Sequence, residues 1–266
     1  TDLNAYYDQF IQWQFNRLHK GNYIQFGKRE VIWSITDGQP CADHDRASGE
    51  GEKPQEYTLI KMKVQELPDK FKDACGSSTV YLVAATLRPE TMFGQTNCFV
   101  LLEGDYGFFK MKNNEIFVCS ERSAINMYYQ GLGEGDSKDF TKDSPPPGPL
   151  QMCKGEDLLG LPLSAPCAQY PTVYVLPMFT ISMNKGTGVV TSVPSNAPDD
   201  YAALRDWREK ENWRTKFGVK KEWADFDVVP IIEIDGQPEL TNIIAKKLIE
   251  DNKVENHKQQ DKLKAI

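Results

Sequence analysis

The run Thr79-Val80-Tyr81-Leu82-Val83-Ala84-Ala85 constrains this chain most, because β-branched and apolar residues follow one another with no polar alternation. Such a run suits a strand buried on both faces. A chain of 266 residues, 40% hydrophobic and 11% aromatic, can cover it with one large core or two small ones. Pro89 ends the strand, since proline has no N–H to give to a ladder. The segment Thr86-Leu87-Arg88-Pro89-Glu90-Thr91-Met92-Phe93-Gly94 must then turn at the strand end. It sets two threonine hydroxyls, one guanidinium and several backbone N–H groups in one place. Such a place can orient a water and stabilise an oxyanion. A strand end with capping threonines and a surface arginine would read the same way.

A second segment stands out: Gly186-Thr187-Gly188-Val189-Val190-Thr191-Ser192-Val193-Pro194, then Ser195-Asn196-Ala197-Pro198-Asp199-Asp200-Tyr201. Its two glycines admit close backbone approach. A strand, a turn and a helix opening with Pro198 and two acids follow. Acids in a first helical turn are favoured by about 0.3–1 kcal/mol through the dipole, which explains Asp199 and Asp200 without any ligand. The alternative is a carboxylate that holds a cation in a pocket. The glycines lack the spacing of either nucleotide-binding loop.

Around these segments, residues 2–20 predict an amphipathic helix with Tyr6, Phe10 and Trp13 on one face and Gly21 in the C′ position. Strands are predicted at 28–35, turning at Asp37-Gly38, and at 57–64, 98–102, 172–177 and 188–193, with a hairpin turn at Asn113-Asn114. Helices are predicted at 121–130, from Ser195 to Phe217, and from Thr241; 133–149 is a proline-rich loop, and the tail from 252 is polar and frays. Strands at irregular spacing with helices between them give an α+β chain with a β-barrel-like core of mixed strands and peripheral helices. One domain, 1–266, is expected, with 1–27 and 252–266 as flanks.

Several classes of function are excluded. No apolar run approaches the roughly 18 residues that cross a membrane. The six cysteines are scattered and only three histidines are present, so no structural zinc site is expected and the thiols suit a reducing compartment. His44, between Asp43 and Asp45, sits in a solvated loop. No G-x-S-x-G elbow and no H-E-x-x-H helix occur. The net charge of -7 and pI near 5.2 argue against a chain that grips a nucleic-acid duplex by itself.

Taken in order, the two segments resemble the editing (CP1) domain inserted in class I aminoacyl-tRNA synthetases for leucine, isoleucine and valine. The wording AATLRPETMFGQTNC, KGTGVVTSVPSNAPDDYAALRD, FGKREVIWSITDGQPCADHDR and GEGEKPQEYTL is similar to the eukaryotic cytosolic leucyl branch, over nearly the whole chain. Thr86 matches the leading threonine and Asp200 the family aspartate. Asn196 and Ala197 stand where valyl and isoleucyl relatives carry a histidine-aspartate pair, and Leu87 replaces the second threonine of the leading pair. The HIGH and KMSKS signatures are absent, so tRNA charging is not expected of this chain.

The resemblance implies an aminoacyl-tRNA deacylase acting on the 3′-terminal adenosine of leucine tRNA, mischarged with norvaline, isoleucine or methionine. It implies no metal, no cofactor and no covalent intermediate. It also implies a cytoplasmic monomer whose tRNA body is held by the remainder of a synthetase. Asp200 would bind the α-ammonium. Thr86, with the backbone N–H groups of residues 87–89, would orient water or hold the oxyanion. Arg88 would face the adenosine or its phosphate, and Thr91 would exclude leucine by a clash. Thr191 and Val193 would line the side-chain pocket, or simply pack as strand residues. Leu87, Gly186, Gly188, Val189 and Asn196 complete the implied substrate-facing set. The rivals are a valyl- or isoleucyl-type domain, a free-standing deacylase, and a non-catalytic binding module.

Overall fold

The structure is a computed structural model that describes residues 4–25, 27, 31–34, 37–42, 55–140, 143–238 and 244–265. The chain divides into two units, Thr1–Gln55 and Glu56–Ile266.

In the smaller unit, α1 (Ala5–Lys20) begins at Asn4, whose Oδ1 accepts the Tyr7 N–H at 3.0 Å. Asp8 lies in its first turn and Arg17, His19 and Lys20 in its last, each complementing the dipole. The left-handed residue after the helix is Asn22 (φ 58°), whereas Gly21 keeps φ at −80°. None of α1 is buried; Tyr6, Phe10 and Trp13 are exposed. A short hairpin of β1 (Trp33–Ser34) and β2 (Gln39–Pro40) turns at Asp37-Gly38, with Gly38 at φ 66°. Of the rest of the strand predicted at 28–35, Val31 and Ile32 are not in a strand, while 28–30 and 35, like the loop carrying His44, lie outside the described residues.

The larger unit is built on nine strands: β3 (Thr58–Val64), β4 (Thr79–Thr86), β5 (Asn97–Val100), β6 (Asp105–Met111), β7 (Glu115–Cys119), β8 (Gln151–Lys154), β9 (Pro162–Ser164), β10 (Val173–Pro177) and β11 (Val189–Ser192). Their order is β11-β5-β10-β9-β3-β4-β7-β6-β8. The pairs β4–β7 and β5–β10 are parallel and the others antiparallel. Helices α2 (Asp69–Cys75), α3 (Glu121–Tyr129), α4 (Pro198–Glu209), α5 (Glu211–Phe217), α6 (Ile244–Asp251) and α7 (Gln260–Leu263) surround the sheet.

β4 is buried on both faces, as its sequence requires. Val80, Leu82 and Ala84 enter a core with Ile60, Met62 and Val189. Val83 faces the other way, into a core with Phe109, Phe117, Met127 and Tyr128. A third core joins Phe99, Leu176, Ala203, Leu204 and Trp207 beneath α4. The Trp207 indole, fully buried, donates to the Pro177 carbonyl at 2.7 Å.

The sheet curls, so that β11, at one end of the order, packs on β4. The predicted mixed sheet with peripheral helices is therefore present. Closure into a barrel is not seen, because the curl brings β11 onto β4 while the other end strand, β8, pairs with β6. The hairpin turn at Asn113-Asn114 forms, with both residues at positive φ.

Two expectations fail. The helix predicted from Ser195 to Phe217 starts at Pro198 and breaks at Lys210, whose ψ of 87° leaves the helical region. The Arg214 guanidinium then donates to the Trp207 and Arg208 carbonyls at 2.8 and 2.7 Å. The polar tail does not fray: Val254, His257 and Leu263 are buried against α4 and α6.

Candidate functional site

The curl is what makes a site, because it brings the two segments singled out in the sequence together at two points. A Cβ on Gly186 would lie 3.7 Å from Ala85 Cβ, next to Thr86. A Cβ on Gly94 would lie 3.1 Å from Val193 Cγ1.

Thr86 ends β4, and its Oγ1 accepts the Arg88 N–H at 3.1 Å. A hydroxyl that accepts there still has its hydrogen to donate. Thr91, in the 3₁₀ turn Pro89–Gly94, donates its hydroxyl to the Arg88 carbonyl at 2.7 Å. That bond fixes the rotamer of a β-branched side chain and so fixes its methyl. Leu87 and Arg88 are exposed and Thr91 is half-buried.

The three-donor oxyanion site expected from residues 87–89 is not available. Pro89 has no N–H and the Arg88 N–H is engaged by Thr86. Among the described residues, no bond occupies the Leu87 N–H.

The glycine-threonine-glycine segment is held from three directions. Arg122 donates to the Gly186 carbonyl at 2.7 Å, Ser120 N–H to the Thr187 carbonyl at 2.8 Å, and Tyr106 Oη to the Gly188 carbonyl at 2.6 Å. Gly186 (φ 57°) and Gly188 (φ 79°) both occupy the left-handed region that favours glycine. Arg122 and Tyr106 escape sequence reasoning, because each lies in an element whose pattern explains it without a site. Along β11, strand alternation puts Val189 and Thr191 on one face, and Val189 and Val193 both enter the core that β4 supplies. Val189 is buried, Thr191 is half-buried, and Asn196 is half-buried with its Oδ1 accepting from Ser195 Oγ.

Asp200 is the chemical centre of this arrangement. Pro198 opens α4, where its missing N–H costs nothing. The third residue of the helix, Asp200, is only 8% exposed, and its Oδ2 reaches back to accept the Val193 N–H at 2.8 Å. Burial pushes its carboxyl up to about 7; the Val193 bond opposes the rise and the neighbouring Asp199 charge adds to it. Among the described residues, no bond occupies Oδ1. A buried carboxylate with one open oxygen is suited to a cation brought in by a ligand.

A mixed sheet with a threonine-bearing turn at one strand end and a buried aspartate opening a helix agrees with the resemblance to the domain inserted in class I synthetases. No protein-family model matches the chain. Among solved structures, a leucyl-tRNA synthetase CP1 domain (GlLeuRS-CP1) is 35% identical at a TM-score of 0.67, covering 79% of this chain and 84% of its own. The P. knowlesi cytosolic leucyl-tRNA synthetase editing domain is 28% identical at a TM-score of 0.69, covering 79% and 82%. The chain belongs to the leucyl-tRNA synthetase family and corresponds to its CP1 editing domain. The cytoplasmic leucine–tRNA ligase of Dictyostelium discoideum is 53% identical over 241 residues, which are 89% of this chain. The match spans 22% of that relative's length.

Proposed function

We propose that this chain edits leucine tRNA in the cytoplasm, removing wrong amino acids by hydrolysis of their ester to the terminal adenosine. The observation that supports this most is Asp200, buried and pinned at the meeting point of the two segments with one oxygen open. In this reading Asp200 takes the α-ammonium of the attached amino acid. Holding the ester in place can lower a barrier by several kcal/mol. Water adds to the ester carbonyl, the bond to the ribose oxygen breaks, and that oxygen leaves with a proton. Thr86 donates its free hydroxyl hydrogen to the developing oxyanion, and the Leu87 N–H assists. Arg88 faces the terminal nucleoside or its phosphate, as guanidinium geometry suits phosphate. Gly186, Gly188, Val189, Thr191, Val193 and Asn196 surround the side chain and ribose.

Thr91 excludes leucine. A pocket resolves one methylene by only about 1–3 kcal/mol, so sparing the correct product needs a clash rather than weaker contact. Norvaline, isoleucine and methionine esters are the substrates. The remainder of a longer synthetase holds the tRNA body, which suits a chain of net charge -7. The domain acts as a monomer and needs no metal or cofactor.

Calorimetric binding of a nonhydrolysable norvalyl-amino-adenosine tests this. It should bind wild type and fail to bind Asp200→Ala. Equal binding to both would remove Asp200 from the site.

A further inference from the structure

We infer that His257 is a positioning residue for Asp200, acting through Asp206 and α4; this rests on reading Asp200 as the ammonium contact. His257 and Asp206 are both fully buried. Asp206 Oδ2 accepts two bonds from this one residue, from the ring Nδ1 at 2.7 Å and from the backbone N–H at 2.8 Å. The Nδ1 atom therefore carries the hydrogen. Lys210 completes the cluster, its Nζ 2.6 Å from Asp206 Oδ1. Burial works against the Asp206 charge, but the bonds from His257 and Lys210 outweigh it and hold the carboxyl below its ordinary range. The His257 ring lies flat on Phe179, with centroids 5.4 Å apart and planes 5° from parallel, and meets Trp213 edge-on at 5.6 Å.

The same segment grips α4 elsewhere. Lys210 donates to the Glu255 carbonyl at 2.9 Å and Arg205 to the Val254 carbonyl at 2.9 Å. At the other end of the helix, Gln260 Nε2 lies 3.4 Å from Asp199 Oδ1, one residue before Asp200. The segment runs antiparallel along α4, so His257 anchors its middle while Gln260 touches the first turn. Asp200 can reach Val193 N–H only while that first turn stays where it is. Fastening the helix from behind holds the reactive carboxyl in front.

The test reads Asp200 directly, by its carboxyl carbon signal in a pH titration of the 266-residue chain, and in parallel measures the affinity for norvalyl-amino-adenosine. Wild type should titrate near 7. His257→Ala should move the midpoint toward the ordinary aspartate value of about 4, as the loosened turn admits water. Affinity should fall by between about tenfold and a hundredfold, as expected of a misplaced contact. His257→Asn, whose amide nitrogen sits where Nδ1 was, should restore both. A folded His257→Ala variant with wild-type midpoint and affinity would overturn the inference. If His257→Ala does not fold, His257→Phe, which keeps a ring against Phe179 but offers Asp206 no ring donor, replaces it, and a wild-type midpoint and affinity there overturn the inference equally. Absence of analogue binding to wild type would count against the editing reading alone, because the titration still decides the role of His257.

Discussion

Replacing Asp200 by asparagine should stabilise the larger unit, by an amount that grows with pH. The carboxyl rises from 3.8 to about 7 on burial, roughly three units at about 1.4 kcal/mol each, or about 4 kcal/mol in all. The sign follows from the direction of the shift. A folded-state value above the unfolded one contributes stability that is fully present below about 4 and lost as pH rises through about 7. Asparagine keeps an acceptor for the Val193 N–H and cannot ionise. Its advantage over wild type should grow by about 3 kcal/mol between pH 5 and pH 8.5. Asp206 and Asp157, whose carboxyls are held low by their partners, titrate with the opposite sign, so the difference between the two proteins is the quantity to follow. Urea unfolding at pH 5, 7 and 8.5 measures it. Stability curves that run parallel for the two proteins would refute the buried-charge account of Asp200.

Three further outcomes are expected. Affinity for an aminoacyl-adenosine amide should rise as pH passes through about 7, with protons released on binding, which calorimetry in buffers of different ionisation enthalpy detects. Thr91→Ala should turn correctly charged leucine tRNA into a substrate; a variant that still spares it would remove Thr91 as the gate. Trp207→Ala should cost about 3–5 kcal/mol in urea unfolding, because it empties a fully buried site and orphans the Pro177 carbonyl.

The parts of the fold that could be read from sequence are those whose cause is local. The unalternating run of β4 and the asparagine pair between β6 and β7 each carry their own reason. β9 has only three residues, beginning with proline, and α2 only seven, so neither shows a period. The tail misled because its polarity suggests solvent, while the partner that buries His257 is Asp206, 51 residues earlier. In the site, Thr86 and Asp200 were legible as chemistry, but the approach of their two segments, Gly186 to Ala85 and Gly94 to Val193, was not, since it depends on the curl of the sheet. Pro89 should have been legible throughout: its letter alone rules out a backbone donor.

The contact between β4 and β11 also sets the order of events in making this protein. Thr86 and Asp200 lie more than a hundred residues apart, and closing so long a loop is slow and comes late. A nascent chain that has emerged only as far as β10 holds the threonine turn but neither the glycine segment nor the aspartate. A product cut off there carries only one of the two segments of the candidate site. The glycine segment and the aspartate arrive only with the last third of these 266 residues, after most of the strands that must support them.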